Sequence, residues 1–128
     1  MSRLVAALVA PALLAACASA TDPPLIAEGE RQFQRCYACH SLDPAEKGLQ
    51  GPPLARIIGR RAGTAPGFDY SPAMRTARSG GLVWTTDILD RFVADPDAVV
   101  RGTSMAPTGM VRAADRAALI AYLAAARP

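Results

Sequence analysis

The chain of 128 residues holds a single histidine, His40, a single lysine, Lys47, and three cysteines, and aromatic residues make up only 5% of it. So few large side chains leave little with which to build an interior, and a chain this short needs an apolar body from elsewhere. A structural zinc site is excluded by counting: four Cys or His ligands are required, and only the remote Cys17 could join the other three. Blocks of like charge are also missing. The basic side chains are thirteen scattered arginines and Lys47, and the net charge is +3, falling to +2 when residues 1–20 and their one charge, Arg3, are removed. That balance points to a solvated surface rather than to nucleic acid or anionic lipid as partner. No alternating strand pattern and no internal repeat is found, and the low-complexity leader is the only biased tract.

What is present is concentrated in Cys36-Tyr37-Ala38-Cys39-His40. Two thiols two residues apart, followed at once by an imidazole, can turn both sulfurs and a ring nitrogen from the end of one helix toward the same flat ligand. This is the c-type haem attachment pattern, in which the thiols become thioethers and His40 takes the iron from one side. A thioredoxin-like redox pair would want a strand before it, whereas a helical pattern runs up to these cysteines and Pro44 follows soon after. A plain disulfide would leave the only histidine without a role.

The first residues read as an export signal: a short basic start at Arg3, then an apolar run over 4–16 that is too short and too early for a transmembrane span. Two cleavage sites compete. Ala18-Ser19-Ala20 would release a chain beginning at Thr21. Leu14-Ala15-Ala16-Cys17 resembles the bacterial lipobox, in which Cys17 is acylated, and it removes an odd thiol from an oxidising compartment. We read the lipobox as the site used. The chain then divides into an export and lipobox region at 1–20, a short tether at 21–25 and one domain at 26–128.

Within that domain Ile26, Gly29, Phe33 and Cys36 share one helix face, with Glu28, Glu30, Arg31, Gln34 and Arg35 on the wet side. Gly29 is a poor choice for an exposed helix interior and marks a place where another backbone approaches. A second amphipathic helix spans 113–126, with Leu119, Ile120 and Leu123 on one face and Tyr122 beside them. Between the two, Ser71-Pro72 starts a short helix that stops at Gly80-Gly81. Another runs from near Thr85 to Asp95, burying Ile88, Leu89, Phe92 and Val93, and Asp95-Pro96 opens one more turn through Val99-Val100.

A soft thioether is the expected partner of His40 on a haem iron, since it raises the potential. Met74, Met105 and Met110 are available once Met1 leaves with the leader. Met105 lies in Arg101-Gly102-Thr103-Ser104-Met105-Ala106-Pro107, an irregular segment able to lie along a flat ligand, and is favoured. Met110 remains a rival, and Met74 reads as core of a short helix.

Several motifs in order then carry a resemblance to one family. Gly29 and Phe33 ahead of the haem motif, Gly51-Pro52-Pro53-Leu54, Gly59-Arg60, Gly67-Phe68-Asp69-Tyr70-Ser71, Trp84, Gly102-Thr103-Ser104-Met105 and Leu119-Ile120-Ala121-Tyr122-Leu123 make residues 27–125 resemble the short class I cytochromes c. The resemblance implies an all-α cytochrome c fold of short helices wrapped on one covalent haem, the first and last helices crossing near Gly29, Phe33 and Tyr122. It implies that the Pro52 carbonyl accepts from the His40 ring, and that Arg60, Tyr70 and Trp84 hold the inner propionate, with Thr103 near the outer one. Departures are Phe92 in place of a tyrosine that touches the methionine sulfur, Pro107 in place of an aromatic, and Met74 in place of an asparagine. The lysine ring with which eukaryotic members meet acidic partners is missing.

The functional expectation is an exported monohaem one-electron carrier, not an enzyme, ligated by His40 and Met105 on the periplasmic side of a bacterial membrane. It would be a lipid-anchored or soluble monomer that meets redox proteins. The alternatives are a gas-binding or sensor haem protein with a labile sixth ligand, and a dedicated haem subunit of a dehydrogenase or oxidase complex. The leader yields a first test. Intact-mass analysis of the exported protein is expected to show a chain beginning at acylated Cys17, and Cys17→Ser is expected to move the protein from the membrane to the soluble fraction. A mass beginning at unmodified Thr21 would exclude the lipobox.

Overall fold

The computed structural model describes residues 21–126; the export and lipobox region 1–20, with Cys17 and both cleavage sites, lies outside the described residues, as do 127–128. Five helices follow in order: α1 Pro23–Phe33, α2 Pro72–Ser79, α3 Thr86–Ala94, α4 Pro96–Val99 and α5 Ala113–Ala125. Among the described residues there is no strand, only one isolated antiparallel bridge between Arg61 and Val83.

Local chemistry accounts for where these helices start. Proline stands in the first turn of α1, α2 and α4, where its missing N–H would have no partner in any case. Three caps add to this. Ser71 Oγ accepts from the Met74 N–H at 3.3 Å, Thr85 Oγ1 from Ile88 at 3.2 Å and Asp95 Oδ1 from Ala98 at 3.3 Å, each a contribution of about 1 kcal/mol. The start of α1 differs from the sequence expectation. The helix takes in Pro23, Pro24 and Leu25, three of the five residues read as tether, because two prolines that fit a PPII tether fit a first helical turn equally well.

The first and last helices make the largest helix–helix contact of the fold. Their crossing is possible because residue 29 has no side chain: a Cβ there would overlap the Ala118 carbonyl oxygen and lie 2.5 Å from Tyr122 Cβ. Phe33, Ala118, Leu119, Ala121 and Leu123 are buried at this crossing, with Phe33 and Tyr122 ring centroids 5.6 Å apart. Ile120, placed on the buried face by its spacing, is only half-buried. The closest approach to α1 is instead at Ala118 and Tyr122, where the absence of a side chain at residue 29 lets the two backbones come together. Ile26, Leu42, Tyr122, Ala125 and Ala126 line a shallow groove where the start of α1 meets the end of α5.

The middle of the chain packs on this pair. Leu89, Phe92 and Val93 of α3 are buried, as are Ile57, Ala62, Trp84, Val100 and Met110 from the connecting segments. Backbone bonds from Gly59 to Trp84 (2.9 Å), Trp84 to Arg60 (2.9 Å) and Ala62 to Leu82 (2.8 Å) hold two loops edge to edge around the Arg61–Val83 bridge. Across the fold, Arg116 Nε donates to Asp90 Oδ1 at 2.8 Å and its Nη1 donates to the Met110 and Val111 carbonyls. One arginine thus ties α3, α5 and the segment before α5.

The crossing defines a sign test. Alanine is preferred over glycine by about 1 kcal/mol in an uncrowded helix, whereas overpacking against a fixed backbone costs about 1–3 kcal/mol. With the propensity gain subtracted, Gly29→Ala is expected to lower the unfolding free energy, by up to about 2 kcal/mol, in a denaturant titration. A gain in stability would mean that the helices do not need this notch.

Candidate functional site

The α-helix ends at Phe33, three residues before the first cysteine of the motif. The chain continues in tight turns: Cys36 N–H donates to the Phe33 carbonyl at 2.8 Å, Cys39 to Cys36 at 3.0 Å, and His40 to Cys36 at 2.9 Å. The shorter i→i+3 spacing of the first two bonds replaces the last helical turn expected from sequence. Neither Cys36 nor Cys39 is in a disulfide. Burial pushes the Cys36 thiol up to about 11, the Arg35 charge opposing this and Cys39 adding to it. A thiol so held is no thioredoxin-type nucleophile, which needs a depressed pKa.

His40 is fixed from two sides. Its Nδ1 lies 2.8 Å from the Pro52 carbonyl; a carbonyl can only accept, so Nδ1 carries the proton and Nε2 keeps its lone pair. Gly51 packs flat on the ring, and a Cβ there would come within 2.6 Å of Nδ1. The Gly51 N–H also donates to the Cys39 carbonyl at 2.7 Å, which ties this loop back to the motif. Burial lowers the His40 pKa, the Pro52 bond opposes this, and the positive charge of Arg60 lowers it further. The imidazole is thus kept neutral and ligand-competent. Sequence reasoning quoted Gly51 but gave it no role; its place before two prolines next to a lone histidine was the available signal.

A second group gathers around Arg60. Its Nη2 donates to the Pro53 carbonyl at 2.8 Å and its Nη1 to Ala55 at 3.3 Å. It is half-buried with no carboxylate bonded to it among the described residues, and burial lowers its pKa, with Tyr70 opposing. The Tyr70 hydroxyl accepts from the Ala65 N–H at 3.0 Å, leaving its own proton to donate elsewhere. Trp84 is 5% exposed, joined to Arg60 through the backbone, and its ring stands 4.8 Å from that of Phe92.

The methionine segment is built separately. Thr103 Oγ1 accepts from the Met105 N–H at 3.3 Å, and the Gly102 N–H donates to Asp97 Oδ1 at 2.7 Å. Thr108 donates to the Val93 carbonyl at 2.9 Å and accepts from the Met110 N–H. Met105 is half-buried against the core, while Met110 is 2% exposed within it and Met74 is half-buried in α2. The structure therefore brings Cys36, Cys39, His40 and Pro52 together, and Arg60 with Trp84 and Tyr70. Thr103 is joined to Met105 and not to the Arg60 group. The pinning roles of Thr108 and Arg116 were missed in the sequence, because the bonds run to partners 15 and 26 residues away.

These features fit a haem. Two unpaired thiols and an imidazole with a free Nε2 match thioether and iron chemistry, and the half-buried Arg60 with a donor-ready phenol beside it matches a propionate. Among the described residues no cluster of three or more His, Cys, Asp or Glu could hold a bare metal ion instead. A small helical protein with this site is a c-type cytochrome.

Comparison with known proteins agrees. Residues 26–127 match the cytochrome c family. The chain is 39% identical over 125 residues to cytochrome c2 of Rhodomicrobium vannielii, covering 97% of this chain and 96% of that one. It is 37% identical over 123 residues to cytochrome c2 of Blastochloris viridis, covering 96% and 92%. The solved structure of cytochrome c2 from Rhodospirillum centenum superposes with a TM-score of 0.67 at 35% identity, covering 80% of this chain and 98% of that one. The chain belongs to the cytochrome c family. It carries one covalent haem c through Cys36 and Cys39 and is an electron carrier rather than an enzyme, meeting redox proteins as partners.

Arg60 offers a direct test. Its positive charge acts on His40, and beside a haem held there it would disfavour the ferric state, which is the more positive of the two. Arg60→Gln is expected to lower the reduction potential, read by spectroelectrochemical titration; an unchanged potential would remove Arg60 from the haem environment.

Proposed function

We propose that this cytochrome is an exported one-electron carrier whose iron is held by His40 and Met105, on the periplasmic side of a bacterial membrane. The observation that carries the reading is the His40–Pro52 bond at 2.8 Å with Gly51 packed on the ring. It leaves Nε2 as the ligating atom and resists rotation of the imidazole when the iron charge changes. Met105 is favoured over Met110 because its loop is held at both ends, by Thr103 and by Thr108, while its side chain faces the core only in part. Met110 instead fills the core with Phe33 and Leu119.

The bound haem supplies a reversible one-electron iron couple. The protein keeps both ligands in place, excludes water with Trp84, Phe92 and Val100, and offsets propionate charge with Arg60, Tyr70 and Trp84, with Thr103 beside the Met105 loop. Phe92 has no hydroxyl to donate to the methionine sulfur, and at 5% exposure it adds only apolar burial. Acylation at Cys17 gives the membrane attachment, and the domain acts as a monomer. No described helix is long and apolar enough to cross a membrane.

Optical spectra of the haem-loaded protein, oxidised, reduced and then exposed to carbon monoxide, test the ligand set. The expected result is a low-spin c-type spectrum, a methionine–iron charge-transfer band that is lost in Met105→Ala and kept in Met110→Leu, and no carbon monoxide shift at neutral pH. Ready carbon monoxide binding by the unaltered protein would replace this reading with a gas-binding or sensor protein. Stable co-purification with a dehydrogenase or oxidase would make it a dedicated subunit.

A further inference from the structure

α1 starts at Pro23, and from Asp22 before it five peptide steps lead back to Cys17. Fully extended, those steps reach about 17 Å, whereas a domain of this size is roughly 33 Å across. Held to lipid through Cys17, the domain cannot turn its far side to the bilayer, because the tether would then have to run roughly 50 Å around it. The end where α1 starts is the end kept at the membrane.

That end carries the apolar groove of Ile26, Leu42, Tyr122, Ala125 and Ala126. Ala125 is exposed and the other four are half-buried. Tyr122 combines an apolar ring with a hydroxyl at its tip, which suits the boundary between hydrocarbon and water. Of the acidic side chains that flank the groove in sequence, Glu28 is paired with Arg31, while Asp22, Asp43 and Glu46 have no salt-bridge partner among the described residues. Lys47 is turned onto the Pro44 and Pro66 carbonyls, at 3.3 Å each. The described rim therefore has no attraction for an anionic surface, and apolar contact is what the groove offers.

We propose that this groove is the membrane-contacting face of the anchored domain, resting on a zwitterionic phospholipid surface with Ile26, Leu42 and Tyr122 against the lipid. The proposal rests on the reading of Cys17 as acylated. α1 is about 16 Å long, and its other end launches the turns that carry Cys36, Cys39 and His40. Contact at the groove gives the tethered domain one orientation, in which α1 holds the haem-bearing turns clear of the headgroups.

Spin labels on the haem-loaded protein test this in phosphatidylcholine vesicles, with the unanchored Cys17→Ser form in solution as reference. A nitroxide on Ala125→Cys reports the groove, and one on Thr86→Cys, exposed at the start of α3, reports the surface elsewhere. Both are read in the reduced protein, where low-spin iron is diamagnetic. Anchoring is expected to cut collisions of the Ala125→Cys label with a water-soluble nickel chelate by about threefold or more and to raise those with oxygen. The Thr86→Cys label is expected to keep its solution values. Adding Ile26→Glu is expected to return the groove label to its solution values, with retention of the methionine–iron band as the check on folding. Unchanged chelate access at the groove label, equal changes at both labels, or protection that requires anionic lipid overturns the contact. A mass beginning at unmodified Thr21 overturns the anchor and the contact together, whereas an acylated mass with unchanged label access overturns the contact alone.

Discussion

Everything at the site depends on the close passage of α1 over α5. That contact fixes the end of α1, and the end of α1 launches the turns from which Cys36, Cys39 and His40 project. It is available because residue 29 brings no Cβ to the Ala118 carbonyl or to Tyr122. A few missing atoms on one helix thus determine where a prosthetic group is held. The chain has few aromatic side chains, but it places Phe33 and Tyr122 at this crossing and Trp84 and Phe92 near Arg60.

The two sides of the haem site solve different problems. On the histidine side the protein must hold a neutral ring in one orientation, and it does so with a backbone carbonyl and a glycine, neither of which can titrate. Where the proposed reading puts the propionates, the protein offers a half-buried guanidinium that bonds only carbonyl oxygens among the described residues. A cation in that position costs free energy until an anion arrives. The site is in this sense incomplete without its cofactor, which suits a group that remains covalently attached.

Three helix starts were legible from a hydroxyl or carboxylate able to cap the first turn, at Ser71-Pro72, Thr85 and Asp95-Pro96, and Gly80-Gly81 became a stop. The haem motif was legible because its residue types have so few other joint uses. Two local misreadings have a common cause. The prolines at 23 and 24 and the residues at 34–39 are compatible with more than one backbone, and packing at the crossing decided between them. Ile120, placed on the buried face by its spacing, packs against the core only in part, and the closest approach of the helices is at Ala118 and Tyr122. The clamps on the methionine loop could not be read at all. Thr108 to Val93 and Arg116 to Asp90 join residues far apart in sequence, and a threonine or arginine seen alone has a bland solvated reading.

Ile26 of α1 and Ala125 and Ala126 at the end of α5 line the same groove, so the described chain enters and leaves the domain at neighbouring points. A domain with adjoining entry and exit can be recut. A short linker between its ends, with a new opening in the exposed turns near Glu46, leaves the crossing helices in place and makes them consecutive in sequence. A contact that in the native order must be found across almost the whole chain would then form between neighbours, with a smaller closure entropy and a lower contact order. Chain connectivity, rather than haem ligation, would then be the variable separating the folding rates of the two forms.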